Sequence, residues 1–253
     1  MLVMKKSKSR KEVVKWLDST LAYAGKDKSC NGLQVEGAEK ITRVGLAVDA
    51  CLDSISMASR KTCQMLIVHH GLFWRDKLPS RVNRVWRARL KECFDSDLNL
   101  YASHLPLDAH SKLGNNAEIV RGMKIRKPER WLEYEGAQIG FKGKKSTTLT
   151  QLTSDYEKFL GNEVRVFDFG PKKIETIGVC SGGGGFAAAV GEVDALLTGE
   201  FNHSNYHFAK ENRVSVLEGG HYATETLGLK ALGRALEKKL GIETVFINAP
   251  TGL

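Results

Sequence analysis

Short apolar runs alternate with helical patterns along almost the whole chain of 253 residues. Stretches such as ITRVGLAVD (41–49), QMLIVHH (64–70) and RVSVLEGG (213–220) have the length and β-branched content of buried strands. Between them, segments such as CLDSISMASRK (51–61) show the apolar period of a helix. Strands that alternate with helices form largely parallel sheets with both faces covered. The sequence therefore predicts an α/β fold.

A faint duplication indicates two similarly built α/β halves. The order VGLAVDA, helix, MLIVHHG is echoed by IGVCSGGGG, helix, DALLTGE. We expect a first domain made of residues 1–125 together with about 215–253, and a second domain of about 126–214. SCNGLQVEG (29–37) is predicted as a turn-rich loop, and residues of about 125–175 give no clear assignment.

The chain carries a formal net charge of +9. A basic surface attracts anions, and both a phosphorylated small molecule and nucleic acid remain open as partners because charge alone does not choose between them. No recognised nucleic-acid-binding signature accompanies the Lys and Arg residues.

The cysteines and the apolar segments indicate a cytoplasmic protein. The five cysteines are scattered, without the short spacing of a zinc site, which is typical of free thiols in a reducing compartment. No stretch approaches the roughly 20 apolar residues of a membrane-spanning helix. The basic start of the chain also lacks the apolar core of a secretory signal.

Histidine and carboxylate residues follow three of the predicted strands. His69 and His70 end QMLIVHH, Asp108 follows LNLYAS, and His221 and Glu225 follow RVSVLEGG at one-turn helical spacing. In parallel sheets, ligands bind beyond the carboxyl ends of strands. Imidazole and carboxylate together suit Zn²⁺, Mn²⁺ or Fe²⁺, although a histidine pair could also simply hydrogen-bond to backbone carbonyls.

Several other residues admit two interpretations. One interpretation places His104 in contact with substrate or metal, whereas His110 is expected at the surface. His203 and His207 have the spacing of a helical metal pair but lack the glutamate of HExxH, which favours an exposed position. Gly183 and Gly184, in SGGGGF (181–186), either hold a phosphate with their amides or allow tight backbone packing.

Five stretches together resemble the Nif-three-like proteins, a family of dinuclear metal proteins that carry the name GTP cyclohydrolase 1 type 2 homologue. They are NGLQVEG (31–37), VHHGLFW (68–74), HLPLDAHSKLGNN (104–116), LLTGE (196–200) and GHYATE (220–225). The resemblance implies two α/β domains, a toroidal homohexamer and two divalent ions per subunit, with Zn, Mn, Fe and Mg as candidates. The ligands it implies are His69, His70, Asp108, His221 and Glu225.

The resemblance also leads to three hypotheses about function. The first is a divalent-metal-dependent hydrolase with a dinuclear site, with ring hydrolysis of GTP as the named reaction and His104, Gly183 and Gly184 as substrate contacts. The alternative is a nucleic-acid-associated or regulatory metal-binding ring that turns over no small molecule. A non-enzymatic adaptor whose metals only hold the fold is a third reading.

Overall fold

The computed structural model describes residues 7–253 of the chain. It contains two compact units, each described by itself. Unit 1 comprises the chain up to Leu107 together with Leu229–Ala249, and unit 2 comprises Asp108–Gly228 together with Pro250–Leu253. Within residues 7–253, no helix has the length and apolar character needed to cross a membrane.

Unit 1 is built on a five-stranded sheet whose order is β13-β4-β5-β6-β2. Its strands are β2 (Gly32–Val35), β4 (Arg43–Asp49), β5 (Met65–His70), β6 (Asn99–Ala102) and β13 (Glu243–Phe246). All pairs are parallel except that of β2 with β6. The remaining elements are β1 (Lys8–Ser9), α1 (Arg10–Thr20), β3 (Lys40–Ile41), α2 (Leu52–Arg60), α3 (Arg84–Asp95) and α4 (Leu105–Asp108).

The helices of unit 1 begin where the sequence offers a capping side chain. Ser9 and Glu12 form a capping box at the start of α1, and Asn83 accepts hydrogen bonds from two backbone amides at the start of α3. Apolar side chains of β4, β5 and β6 form the core with α2 and with Cys93 of α3. This packing fixes the strand ends from which the functional residues project.

Unit 2 is built on a six-stranded mixed sheet whose order is β7-β8-β10-β11-β12-β9. Its strands are β7 (Arg126–Tyr134), β8 (Ala137–Thr148), β9 (Arg165–Phe167), β10 (Lys173–Cys180), β11 (Ala195–Thr198) and β12 (Ser215–Glu218). The central pairs β10–β11 and β11–β12 are parallel, and the flanking pairs are antiparallel. The helices are α5 (Asn115–Gly122), α6 (Leu149–Leu160), the 3₁₀ helix Gly184–Ala189, α7 (His203–Glu211) and α8 (His221–Leu240), the last of which continues past Gly228.

The predicted α/β fold with two sheets, largely parallel in parts, is confirmed. Both units contain a parallel pair of strands joined through a helix, β4–α2–β5 in one and β10–3₁₀–β11 in the other. The predicted parallel character holds across most of the first sheet, but only in the centre of the second.

The boundaries of the units differ from the predicted 125 and 215. Residues of α5 such as Ile119 and Met123 pack in one core cluster with Ile177 and Val179 of β10. Strand β12 is hydrogen-bonded between β11 and β9. Helix α5 and strand β12 therefore belong to unit 2, because the sheet of unit 2 buries the one and pairs with the other.

SCNGLQVEG is not purely a loop, since it contains strand β2. Leu33 pairs with Tyr101 and Val35 with Leu100, with a register shift between Leu33 and Val35. The hydrogen bonds that make this segment a strand come from β6, which is distant in sequence, so a local turn pattern could not reveal them. Strand β7, in the stretch without a clear prediction, likewise forms through pairing with β8.

Candidate metal centre

Three imidazoles meet at the strand ends of unit 1. His69 and His70 end β5, and His104 follows β6 just before α4. One nitrogen from each ring lies within 4.8 Å of the others, so the group could hold a metal ion. The His69 side chain is fully buried, whereas the His70 and His104 side chains are each 21% exposed. Trp74 covers the group, with its ring centroid 5.0 Å from that of His104.

The turn after the two histidines depends on Gly71 and Gln34. A Cβ at Gly71 would overlap the Gln34 amide and the Cβ of Ala102. Gln34 Oε1 accepts hydrogen bonds from the amides of Leu72 at 2.7 Å and Phe73 at 3.2 Å. Gly71 is therefore needed for close approach, which lets Gln34 fix the chain as it leaves the strand.

Each strand-end histidine donates a hydrogen bond through Nδ1 to a fixed acceptor. The pairs are His69 with Ser103 O at 3.0 Å, His70 with Asp49 Oδ1 at 2.9 Å, His104 with Asp27 Oδ1 at 2.9 Å and, in unit 2, His221 with Glu200 Oε2 at 2.8 Å. An acceptor at Nδ1 selects the ring form whose Nε2 carries the lone pair, which is how metal-bound histidines are oriented. The donor set therefore fits a divalent metal ion.

The Asp27 carboxylate that holds His104 is itself firmly positioned. Its Oδ1 also accepts from the Ser29 amide at 2.9 Å, and its Oδ2 accepts from Asn31 Nδ2 at 2.8 Å and the Leu105 amide at 2.9 Å. Burial favours the neutral acid, but the hydrogen bonds and charge of His104, with those of Asn31 and Ser29, hold the pKa of Asp27 below its usual value. The carboxylate therefore stays ionised as the partner of His104.

Unit 2 offers a second set of donors at the start of α8. His221 and Glu225 lie one helical turn apart, with Nε2 and Oε1 separated by 3.1 Å. Glu225 is 2% exposed, and a Cβ at Gly182 would overlap its Oε1. Gly182 has a φ of +56°, so glycine is favoured both by the backbone conformation and by the space that the carboxylate needs.

Asp108 is held from two directions within unit 2. Its Oδ1 accepts from Asn115 Nδ2 at 2.8 Å and from Ser181 Oγ at 3.0 Å. Asn115 Oδ1 accepts from the Gly228 amide at 2.7 Å, and Asn116 Oδ1 accepts from the Ser181 amide at 2.7 Å. These bonds fix one carboxylate oxygen of a residue that is only 7% exposed.

Cys180 is a poor candidate for a metal ligand although it ends strand β10 in unit 2. Burial raises the pKa of its thiol well above the usual value, and the charges of Asp108 and Glu225 raise it further. No group of potential metal ligands found within residues 7–253 includes Cys180, and its side chain packs against Gly184.

The predicted role of Gly184 in substrate binding stays a prediction, and the structure shows a packing role for this residue. The residue is buried, a Cβ on it would overlap the Cys180 side chain, and its amide donates to Ser181 O at 3.2 Å. The SGGGGF run is therefore used for tight packing at Gly184. Gly183 differs, because it is exposed and a Cβ there would lie 3.8 Å from His221 Cε1.

His203 and His207 lie at exposed positions, as expected, whereas His110 is half-buried rather than at the surface. His203 and His207 are exposed on α7, with ring centroids 6.4 Å apart. His110 Nδ1 accepts from the amides of Lys112 at 3.1 Å and Leu113 at 2.9 Å, which closes a turn. None of these three is in a group of potential metal ligands found within residues 7–253.

The residues that position the donors were not predicted from the sequence: Asp27, Asp49, Asn115, Ser181 and Glu200. Asp49 and Glu200 follow the apolar runs GLAV and ALLTG, so the strand-end rule that found His69 could have found them too. Asp27 lies in the loop AGKDKSC, where no local pattern marks it.

The chain matches a known protein family. The model of the family Duf34/NIF3 (NGG1p interacting factor 3) matches residues 8–252. The chain belongs to the Duf34/NIF3 family. It is similar to a protein of Pyrococcus abyssi named GTP cyclohydrolase 1 type 2 homolog, at 43% identity over 252 residues, covering 96% of this chain and 99% of the relative.

A second relative and a solved structure are also similar to this chain. A protein of Pyrococcus horikoshii with the same name is 44% identical over 252 residues and is also covered over 99% of its length, with 96% of this chain aligned. The crystal structure of a Thermus thermophilus protein matches with a TM-score of 0.90 and 36% identity, covering 97% of this chain and 100% of that one. Fold and sequence therefore agree over the whole described chain.

Protonation of His221 provides a test of the geometry in unit 2. Burial disfavours its charged form, but the hydrogen bonds and charges of Glu225 and Glu200 outweigh burial and raise the pKa of the imidazole to about 9. Below that pH the metal-free ring is protonated, so metal binding at Nε2 must release a proton. Histidine resonances followed by NMR in EDTA-treated protein should show this high midpoint.

Glu225→Gln should lower the His221 midpoint, because the larger carboxylate contribution is removed while burial remains. Glu133→Gln, at an exposed position of β7, is the matched control and should leave it unchanged. A midpoint near the usual value of about 6.5 in the unmodified protein would contradict the described contacts.

Proposed function

We propose that this protein is a divalent-metal-dependent hydrolase with a dinuclear centre. The ligands proposed are His69, His70, Asp108, His221 and Glu225, the set that the family resemblance implies. The observation that carries the proposal is the orientation of the imidazoles, each with Nδ1 bonded to a carboxylate or carbonyl oxygen. Such partners orient metal-binding histidines, and one ring nitrogen from each of His69, His70 and His104 lies within 4.8 Å of the others, as ligands of one ion would.

The donor chemistry suits two ions rather than one. Three neutral imidazoles supply one lone pair each, and two carboxylates supply two negative charges, which offset half of the charge of two dications. Glu225 would be the ligand of both ions, because each oxygen of a carboxylate can bind a cation, and its side chain is longer than that of Asp108 and shares a helix face with His221. Nitrogen and oxygen ligands of this kind suit Zn, Mn and Fe, and Mg would require more oxygen.

Two bound ions would activate water and polarise an oxygen or ring carbon of the substrate. The chain's own residues would hold the substrate against them. His104 is fixed by Asp27 and remains 21% exposed, so its ring can contact a substrate group. Gly183 is exposed beside His221 and presents no side chain, which leaves room for that substrate.

We propose a phosphorylated, nucleotide-like molecule as the substrate class. The net charge of +9 favours an anion, and the curated relatives carry the name GTP cyclohydrolase 1 type 2 homolog. Opening of a purine ring by water is the reaction that this name suggests, and hydrolysis of a phosphate ester is the other reaction that such a centre supports.

Metal titration of ligand variants tests the centre. Glu225→Gln keeps the size of the side chain but removes the charge shared by two cations, so it should lower occupancy at both positions. His221→Ala should mainly empty one position. Metal content after dialysis against Zn²⁺ or Mn²⁺ measures the difference, with Glu133→Gln as the control that should bind like the unmodified protein. Equal losses of one ion in both variants would show that Glu225 is a terminal ligand.

Turnover is tested by screening metal-reconstituted protein against nucleotides, including GTP, and against oligonucleotides. We expect metal-dependent product formation that falls at least about a hundredfold in Glu225→Gln, the scale seen when a transition-state charge loses its partner. Fully metal-loaded protein without turnover of any of these compounds would contradict the hydrolase proposal while leaving the metal centre intact.

We also propose that the protein forms a homohexamer, on the basis of the family resemblance. Light scattering at micromolar concentration should then give the mass of six chains of 28.0 kDa. A monomer under these conditions would refute the ring.

A further inference from the structure

The positive charge of the chain is concentrated in one short segment of unit 1. Residues 75–91, RDKLPSRVNRVWRARLK, contain seven Lys or Arg residues and one Asp, a net charge of +6 in a chain whose total is +9. We call this segment the basic strip. It runs from the loop after Trp74 through most of α3.

The charges of the helical part point away from the core. Trp86, Leu90 and Cys93 lie on one face of α3 and pack into unit 1, where Trp86 also stacks on Phe73 at a centroid distance of 5.4 Å. Arg84, Arg87 and Lys91 have the spacing of the opposite face. The helix therefore uses its apolar stripe for packing and presents its arginines to solvent.

Most of these cations have no anionic partner in the described part of the chain. Arg75, Lys77, Arg81, Arg84 and Arg87 are exposed and form no salt bridge with any residue of 7–253. Within the strip, Asp76 pairs with Lys28 and Lys91 pairs with Asp95. Five of the seven cations of the strip are therefore exposed without an anionic partner among residues 7–253.

The placement of the arginines does not serve the stability of the helix. The first turn of α3 contains Arg84 and no acidic residue, although a helix N-terminus favours negative charge. Cations there are repelled by one another and by the positive end of the helix dipole. An anionic ligand would relieve this repulsion.

We propose that the basic strip binds the phosphate backbone of single-stranded nucleic acid. Guanidinium groups match phosphate geometry, and several of them along a strip suit a chain of phosphates rather than one. Leu78, Val82 and Val85 are 59%, 63% and 52% exposed among the cations and provide apolar contacts for sugars and unstacked bases. A duplex, whose bases are stacked inside, could not use them.

An anionic membrane fits the strip less well. Peripheral helices insert a continuous apolar face into lipid, and in α3 that face is occupied by packing in the core of unit 1. The strip begins directly after Trp74, whose ring lies 6.1 Å from that of His70 and 5.0 Å from that of His104. A strand bound to it would thus pass close to the imidazoles of unit 1, but binding itself needs no metal.

Fluorescence anisotropy with a labelled oligothymidylate of about 20 nucleotides, with EDTA present, tests the proposal. Arg81→Gln, Arg84→Gln and Arg87→Gln combined should weaken binding at least about tenfold at about 0.1 M salt and reduce the slope of log K against log salt by about 2. The matched control combines Lys11→Gln, Lys172→Gln and Lys210→Gln, which removes three exposed charges elsewhere and should change affinity less than about twofold.

Equal weakening in the two triple variants would overturn the proposal, because net charge alone would then explain binding. The proposal would also be overturned if polyglutamate or phosphatidylserine vesicles bound as tightly as the oligonucleotide. Circular dichroism shows whether the triple arginine variant has kept its helix. If it has not, a second variant decides the question: Arg75→Gln combined with Lys77→Gln, in the loop outside α3, should also weaken binding. Failure of this binding leaves the proposed metal centre untouched, since all measurements are made without metal.

Discussion

The hydrogen bond from histidine Nδ1 to a fixed acceptor is the interaction on which the candidate metal centre depends. It decides which ring nitrogen carries the lone pair, and it stops the ring from rotating away. Asp49 serves His70, Asp27 serves His104 and Glu200 serves His221, while a backbone carbonyl serves His69. Without these partners, the same imidazoles would be flexible polar groups at strand ends.

The parallel strands place these partners. Asp49 and His70 are paired residues on adjacent strands, so the register of β4 with β5 sets their contact directly. In unit 2, the parallel strands β10, β11 and β12 end at Cys180, Thr198 and Glu218, and the chain that follows supplies Ser181, Glu200 and His221. Backbone pairing therefore converts residues far apart in sequence into neighbours with defined distances.

Much of this arrangement could be predicted from the sequence, because apolar strands and the polar residues that follow them are local signals. That pattern and the family resemblance predict His69, His70, Asp108, His221 and Glu225 as ligands, and this set stays a prediction. Strand β2 and the partner Asp27 could not be found in this way, because both owe their structure to distant contacts, with β6 and with His104. The packing of Gly184 against Cys180 could not be predicted either, because only the fold brings these two residues together.

The central claim is that these oriented imidazoles and buried carboxylates hold two metal ions. X-ray absorption spectroscopy of protein reconstituted with Zn²⁺ tests this claim most directly. We expect a first shell of nitrogen and oxygen with imidazole scattering, and a metal–metal distance of about 3.5–4 Å. An isolated ion without a metal–metal contribution, or a shell that contains sulfur, would contradict it.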